Sequence, residues 1–408
     1  MYTFTFLNHN PDLLFFMKYK VFKIIFIICL FPVLNLNGQI RIWNIDNLKN
    51  AKSLTSEAAK LIIRDANKDL AKTLVTVMDK PMTPPSADKH DYLSMGRYWW
   101  PDPSKADGLP YIRKDGVVNH EIDKLDRGPL GAFARSIKNL SIAYFLTSED
   151  KYARKAVENL QIWFINKDTK MNPNMNYGQT IPGRRDGEGR GEGVLDTYSF
   201  VEMLDGVELL RSSKLFTAAD QLTIKVWFTS YLDWMLTSEI GNEERTAKNN
   251  HGTAFDVQAT RYALFTGKKD VATKIITEFP ANRLFKQIQP DGSQPLELAR
   301  TTALGYSTFN LTHFLDMCSI AKSINIDLFN STSGDGRSIS KAVDFLVPFI
   351  GTRVEEFKYK QIKDWDAVQL KLCWQIYRAD QFRPRPIYKN IYSHYLNSDE
   401  KEINTLLY

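Results

Sequence analysis

The sequence predicts an all-α protein built from stacked antiparallel helical hairpins, and three observations carry that reading. From Ser53 onward, apolar residues recur at spacings of three and four, the period of an amphipathic helix. No run of useful length shows the alternation that a half-buried strand requires. The helical segments follow one another through short turns apart from a few long polar loops, and no Pro/Ser/Gly linker divides the chain. Composition agrees: 43% of the 408 residues are hydrophobic and 25% charged, which excludes both disorder and a multi-span membrane protein.

The N-terminal segment reads as an address. Lys18, Lys20 and Lys23 follow Met17, and Ile24 to Leu34 is an apolar run interrupted only by Pro32. At about eleven residues this run is too short to span a bilayer and suits the core of a secretory leader. The expected organisation is a signal peptide over residues 1–38, with Met17 as the start and cleavage near Gly38, followed by one domain over residues 39–408. Export to the periplasm of a Gram-negative bacterium, or secretion, is the expected location. Cys29 lies inside the apolar run without the small neighbours of a lipid-attachment cysteine. Only Cys318 and Cys373 lie beyond it, which makes neither a disulfide framework nor a zinc motif. Loss of three lysines and one aspartate with the leader takes the net charge from +6 to about +4, compatible with a polyanionic ligand.

Beyond the leader, Ala58, Leu61, Ile62, Ala66, Leu70, Leu74 and Val75 predict one long helix, ended by Pro81, Pro84 and Pro85. An irregular stretch rich in Tyr, Trp, Pro, Gly and Asp follows over residues 90–126; loops of this length inside a compact domain are usually functional or mobile. Helices are predicted over 131–146 and 150–164. A second irregular segment covers 166–193 and ends in the Gly/Arg/Glu run from Gly183 to Gly193. Further helices are expected over 194–211, 217–237, 253–266, 269–285, 307–324, 338–350 and 366–378, with one more near the C-terminus. Such a series suggests an α/α toroid with its long loops gathered at one mouth. An open solenoid would show a repeat period, and none is visible.

Two polar segments carry the candidate chemistry. Lys248-Asn249-Asn250-His251-Gly252 opens the helix over 253–266, and Arg300-Thr301-Thr302-Ala303-Leu304-Gly305-Tyr306 follows later in the chain. Together they offer an amide, an imidazole, a guanidinium and a phenol, a set suited to removing a proton beside a carboxylate and protonating a leaving oxygen. Asn249 and Asn250 are good cap residues, and free N–H groups at a helix start favour anions. The same positive end is expected to keep His251 neutral. The segment also reads as nothing more than a capped turn. Arg300 and Tyr306 would lie about 120° off a shared face on an ideal helix, so they converge only if the chain breaks, with Gly305 as the expected place. If they meet, Arg300 can hold a carboxylate in a bidentate pair and lower the pKa of the phenol.

Arg97-Tyr98-Trp99-Trp100-Pro101 is a second cluster, in which one of the two Trp residues is expected to form a stacking wall for a sugar ring. Gln179 and Arg184, from the second irregular segment, are added as candidate substrate contacts. The glycine-rich run lacks the G-K-[ST] ending of a phosphate loop and reads as a basic lid or a plain mobile loop. No H-E-x-x-H, EF-hand or G-x-S-x-G pattern occurs, so no metal or organic cofactor is expected.

Tyr98-Trp99-Trp100-Pro101-Asp102-Pro103, Asn249-Asn250-His251-Gly252, Asp291-Gly292-Ser293-Gln294-Pro295, Glu297-Leu298-Ala299-Arg300 and Tyr306-Ser307 resemble the alginate-lyase domain of bacterial polysaccharide lyases. The nearest subgroup is polysaccharide lyase family 38, related to family 5, and the likeness runs from about residue 85 to 350. The resemblance implies an α/α toroid and β-elimination on a uronic-acid polymer such as alginate or glucuronan. It implies that Asn250, His251 and Arg300 neutralise the substrate carboxylate and that Tyr306 protonates the glycosidic oxygen. Tyr306 would also take the C5 proton of mannuronate or glucuronate, whereas His251 would take that of guluronate. The lid of the family 5 enzymes is assigned to residues 166–193. The expected partner is an acidic polysaccharide rather than nucleic acid or membrane, and the expected state is a monomer. Two alternatives stay open: a glycoside hydrolase using carboxylates among Asp186, Glu188, Glu192 and Asp196, and a non-catalytic glycan-binding protein using Trp99 and Trp100.

Overall fold

The computed structural model describes residues 40–53, 56–396 and 399–408; the expected leader and its cleavage site lie outside them. Helix α1 spans Ile45–Asn50 and α2 spans Glu57–Leu70, the latter started by Ser56, whose Oγ accepts the Ala59 N–H at 3.2 Å. The sequence predicts α2 to run on to Val75. It stops at Leu70 because Thr76 and Asp79 form their own capping box and draw the following residues into a separate short turn. Helices α3 (Arg127–Thr147) and α4 (Asp150–Phe164) form a hairpin. Helices α5 (Phe200–Leu210) and α6 (Ala218–Thr237) follow, and α6 carries a Thr217/Asp220 capping box.

A short helix absent from the sequence reading, α7 (Glu239–Thr246), is started by Ser238. Its sequence, EIGNEERT, has almost no apolar periodicity to announce it. Then come α8 (Asn250–Thr266), α9 (Lys269–Phe279) and α10 (Ala303–Lys322), and finally α11 (Ile339–Leu346), α12 (Trp365–Phe382), α13 (Pro386–Tyr395) and α14 (Asp399–Leu407).

Helices α3, α5, α8, α10 and α12 pack one against the next as an inner ring. Helices α2, α4, α6, α9 and α13 lie outside them, and α14 packs back onto α1 and α2. This is an α/α toroid. Helix α8 sits so deep that 15 of its 17 residues are buried. Its charged residues there are paired: Arg261 with Asp205 at 2.9 Å and Asp256 with Arg283 at 2.7 Å. Burying such charges singly would be costly, and pairing offsets that cost. Among the described residues no helix is long and apolar enough to cross a membrane.

The two irregular segments contain what the sequence did not signal, namely strands too short to show alternation. Strand β1 (Leu93–Met95) pairs in parallel with β4 (Tyr177–Thr180), and β2 (Trp99–Trp100) pairs antiparallel with β3 (Ile112–Arg113). The second half of the glycine-rich run is packed, with Gly189, Gly191 and Gly193 buried, while Gly183 to Asp186 are exposed. A Cβ on Gly189 would come within 2.7 Å of the Gly178 backbone, so glycine there allows two backbone strands to touch.

Candidate active site

A cleft of about 590 Å³ opens between the starts of α8 and α10 and the hairpin formed by β2 and β3. Asn249, Asn250, His251, Arg300 and Tyr306 all line it, together with Arg97, Tyr98 and Trp99. The two polar segments singled out in the sequence therefore do meet. The break that brings Arg300 and Tyr306 together lies at residues 299–302, ahead of α10, and not at Gly305, which is inside the helix. Gln361 secures the new start, its Oε1 accepting the Leu304 N–H at 3.1 Å.

Tyr306 is held on two sides. Arg300 Nη2 donates to its Oη at 2.7 Å, the guanidinium lies 3.7 Å from the ring centroid, and Oη reaches Tyr98 Oη at 3.1 Å. Arg300 itself is gripped by Asp115 through Nε at 3.2 Å and Nη2 at 2.6 Å. The bidentate pairing expected with substrate is thus taken by Asp115, and of the Arg300 guanidinium only the Nη1 donors are outside these bonds. Burial alone would raise the Asp115 carboxyl, but Arg300 and Thr301 outweigh it and hold the group well below the carboxylate range. The expectation that Arg300 lowers the phenol is overturned in net. Burial raises Tyr306 and Tyr98 adds to the rise, while Arg300 opposes both without cancelling them.

The start of α8 shows a similar substitution. Its Asn250 N–H and Nδ2 both donate to Glu297, at 2.7 Å each, and Glu297 is buried. The helix start does attract a carboxylate, as its free N–H groups dictate, but an internal one. Asn249 occupies the cap position without a side-chain cap bond, because Glu297 has taken that role. His251 Nδ1 meets Glu244 Oε1 at 2.7 Å. Burial alone would lower the imidazole, yet the charge and hydrogen bond of Glu244 win and raise it. The expectation that the helix start depresses the His251 pKa is reversed in direction by that anion, which stands closer than the dipole of the helix can compete with.

The other predicted contacts divide. Arg97, Tyr98 and Trp99 line the cleft; Trp100 does not, and its Nε1 donates to the Val117 carbonyl at 3.0 Å. Arg184 also lies off the lining, with its guanidinium 5.1 Å from the Trp99 ring. Gln179 does line the cleft and is also a strut: Nε2 donates to Asp196 at 3.0 Å, while Oε1 accepts from Arg190 at 3.1 Å. Arg190 in turn pairs with Glu192 and faces the Trp99 ring at 5.8 Å. Of the four carboxylates considered for hydrolysis, Glu192 alone lines the cleft, and Asp196 is buried beneath Tyr92, Ser94 and Gln179. No pair of those four faces the cleft as hydrolysis would require.

Cations dominate the walls. Arg113, Arg127 and Arg190 on one side and Lys363 and Lys371 on the other add to Arg97 and Arg300, against Glu192 and Asp364. None of Arg113, Arg127, Arg190, Lys363, Lys371, Asp115, Glu244 and Glu297 was given a role from the sequence. Glu297 stood inside a quoted motif and Arg190 in the glycine-rich run; the others carried no local signal. Among the described residues no group of three or more His, Cys, Asp or Glu is placed to hold a metal ion.

A phenol and a guanidinium facing an imidazole and an amide, in a cationic cleft on an α/α toroid, define a polysaccharide lyase. Residues 76–357 match the alginate lyase family. The chain is 52% identical to an alginate lyase from Bacteroides ovatus, whose crystal structure it matches over 90% of its own length and 99% of the other's, with a TM-score of 0.88. The fold also matches alginate lyase A1-III from Sphingomonas species A1, at 15% identity over 85% of this chain and 93% of that one, with a TM-score of 0.54. A form of A1-III complexed with a tetrasaccharide matches at 15% identity over 80% and 88% of the two chains, with a TM-score of 0.53. No curated protein matches the chain. The chain belongs to the alginate lyase family.

Proposed function

We propose that this lyase cleaves uronic-acid polymers, mannuronate-rich alginate and glucuronan foremost, by β-elimination. The substrate carboxylate is met by Asn250, His251 and Arg300, which makes the C5 proton removable by screening the charge that develops beside it. The C5–H and C4–O4 bonds break, the C4=C5 double bond forms, and the glycosidic oxygen leaves with a proton. Tyr306 delivers that proton. Its elevated pKa keeps it in the neutral form a donor needs, and Arg300 Nη2 at 2.7 Å stabilises the phenolate left behind. Where the C5 proton lies on the same face, as in mannuronate, the Tyr306 oxygen takes it as its own proton passes to the glycosidic oxygen, so the C5–H and C4–O4 bonds break together and the phenol is regenerated.

The observation that carries this reading is the placement of Tyr306 Oη between Arg300 and Tyr98, in the same cationic cleft as Asn250 and His251. Kinship to proteins described as alginate lyases supports the substrate class. The basic stretch and apolar run ahead of Gly38 support export to the periplasm or beyond, and we assign the protein a monomeric state. The test is incubation of purified protein with polymannuronate, polyguluronate and glucuronan while following the ultraviolet absorbance of the new double bond. A rise on polymannuronate or glucuronan is expected; no rise on any of the three would sink the assignment.

A further inference from the structure

Helix α7 has one side chain aimed at the site. Glu244 is 1% exposed, and its Oε1 stands 2.7 Å from His251 Nδ1. A carboxylate only accepts hydrogen bonds at ordinary pH, so the short contact puts the imidazole hydrogen on Nδ1. That leaves Nε2 as the ring's remaining polar atom, on a residue that lines the cleft. In the neutral ring Nε2 would then be a lone pair, which repels a carboxylate. Nε2 can donate to a substrate carboxylate only if the ring carries a second proton.

We propose that Glu244 is a positioning residue for the elimination: its buried carboxylate fixes the His251 ring with Nδ1–H turned into the protein and Nε2 turned to the cleft, and keeps the imidazole protonated where it meets the uronate carboxylate. The proposal rests on the cleft being the uronate site. It assigns His251 to the carboxylate rather than to the C5 proton.

The charges around the ring favour this state. Arg190 and Glu192, from the segment ahead of α5, act on His251 with opposite signs and are paired with each other. Glu297, from the short helix Pro295–Leu298, is engaged by Asn250. His313, on α10, is fully buried and held neutral, its pKa lowered to about 3 by burial first and by the charge of His251 second. Glu244 is the anion in direct contact with the ring, and it raises His251 above its ordinary value against burial and Arg190, while burial in turn raises the Glu244 carboxyl against the pull of His251. The sign follows: the cation persists to higher pH than in a free histidine and is lost as pH rises through the elevated value.

Replacing Glu244 by Gln leaves an amide oxygen to accept Nδ1–H, so the ring keeps its orientation while the negative charge is gone. Burial then acts alone and lowers the imidazole. The experiment combines long-range ¹H–¹⁵N NMR of the histidine rings in wild type and Glu244→Gln, with His251→Asn to assign the signals, and kcat/KM on polymannuronate against pH. In wild type, His251 should titrate above its ordinary value, with Nδ1 keeping its proton in the neutral form. In Glu244→Gln the titration and the alkaline limb of kcat/KM should both move down by about one unit or more. At a pH one unit above the variant's limb, that amounts to about a tenfold loss. A wild-type ring protonated on Nε2 alone, or coincident limbs in the two proteins, would overturn the proposal. If the variant does not fold, the wild-type tautomer and titration decide by themselves. If wild type eliminates none of the polymers, the functional reading falls, while the NMR titration still decides the pairing.

Discussion

Two neighbouring helix starts line the cleft, and they are held in different ways. At the start of α8, Asn250 and His251 are braced from behind by the buried carboxylates Glu297 and Glu244. At the start of α10 the brace is the neutral amide of Gln361, and Arg300 and Tyr306 are gripped from the front by Asp115 and Tyr98, both from the segment containing β2 and β3. One side is preorganised by the core and the other by a loop. Of the groups proposed to meet the substrate carboxylate, Asn250 and His251 therefore belong to the rigid side, while Arg300 and the proposed proton donor Tyr306 depend on a surface segment staying in place.

The largest effect expected from breaking this arrangement is at Tyr306. Tyr306→Phe removes the hydroxyl and should lower kcat by about 10²–10⁴-fold, with binding of polymannuronate retained in calorimetry. Unchanged turnover would remove Tyr306 from its role. Glu297→Ala comes next. It leaves the buried Asn250 N–H without an acceptor, at a cost of about 1–3 kcal/mol, which denaturant unfolding would register together with a fall in kcat. Stability equal to wild type would show that the brace behind α8 is dispensable.

Asp115→Asn tests the loop side. It weakens the grip on Arg300, and kcat should fall by about tenfold, the effect of one charge-assisted hydrogen bond, while global stability changes little because Asp115 is only partly buried. A loss of stability as large as that of Glu297→Ala would erase the contrast between the two sides. The smallest effect is a difference within one dipeptide. Trp99→Ala should raise KM, whereas Trp100→Ala, outside the cleft lining, should leave KM within about twofold of wild type, near the scatter of surface changes. Equal KM effects would place Trp100 in the substrate path.

The same contrast explains what the sequence could reveal. Helix α4 was legible to the residue, because Tyr152, Ala156, Leu160 and Trp163 recur on one buried face. The two polar segments were legible too, since their residue types point to one chemistry wherever they meet. The braces were not. Asp115 lies 185 positions from Arg300, and Tyr98 lies 208 from Tyr306. No local pattern encodes contacts across such separations. Glu244 was hidden differently, in a short polar helix whose apolar period is too weak to signal a helix at all. The pKa expectations failed for the same reason: the helix dipole acting on His251 could be read locally, but the buried Glu244 beside it could not.

The central claim, that the two sides together eliminate rather than hydrolyse, is tested most directly by the mass of the oligosaccharides released from polymannuronate by the wild-type enzyme. Every internal cut should yield a new non-reducing end lighter by one water than a hydrolytic end and carrying a C4=C5 double bond. Saturated products with full-mass ends would contradict the account.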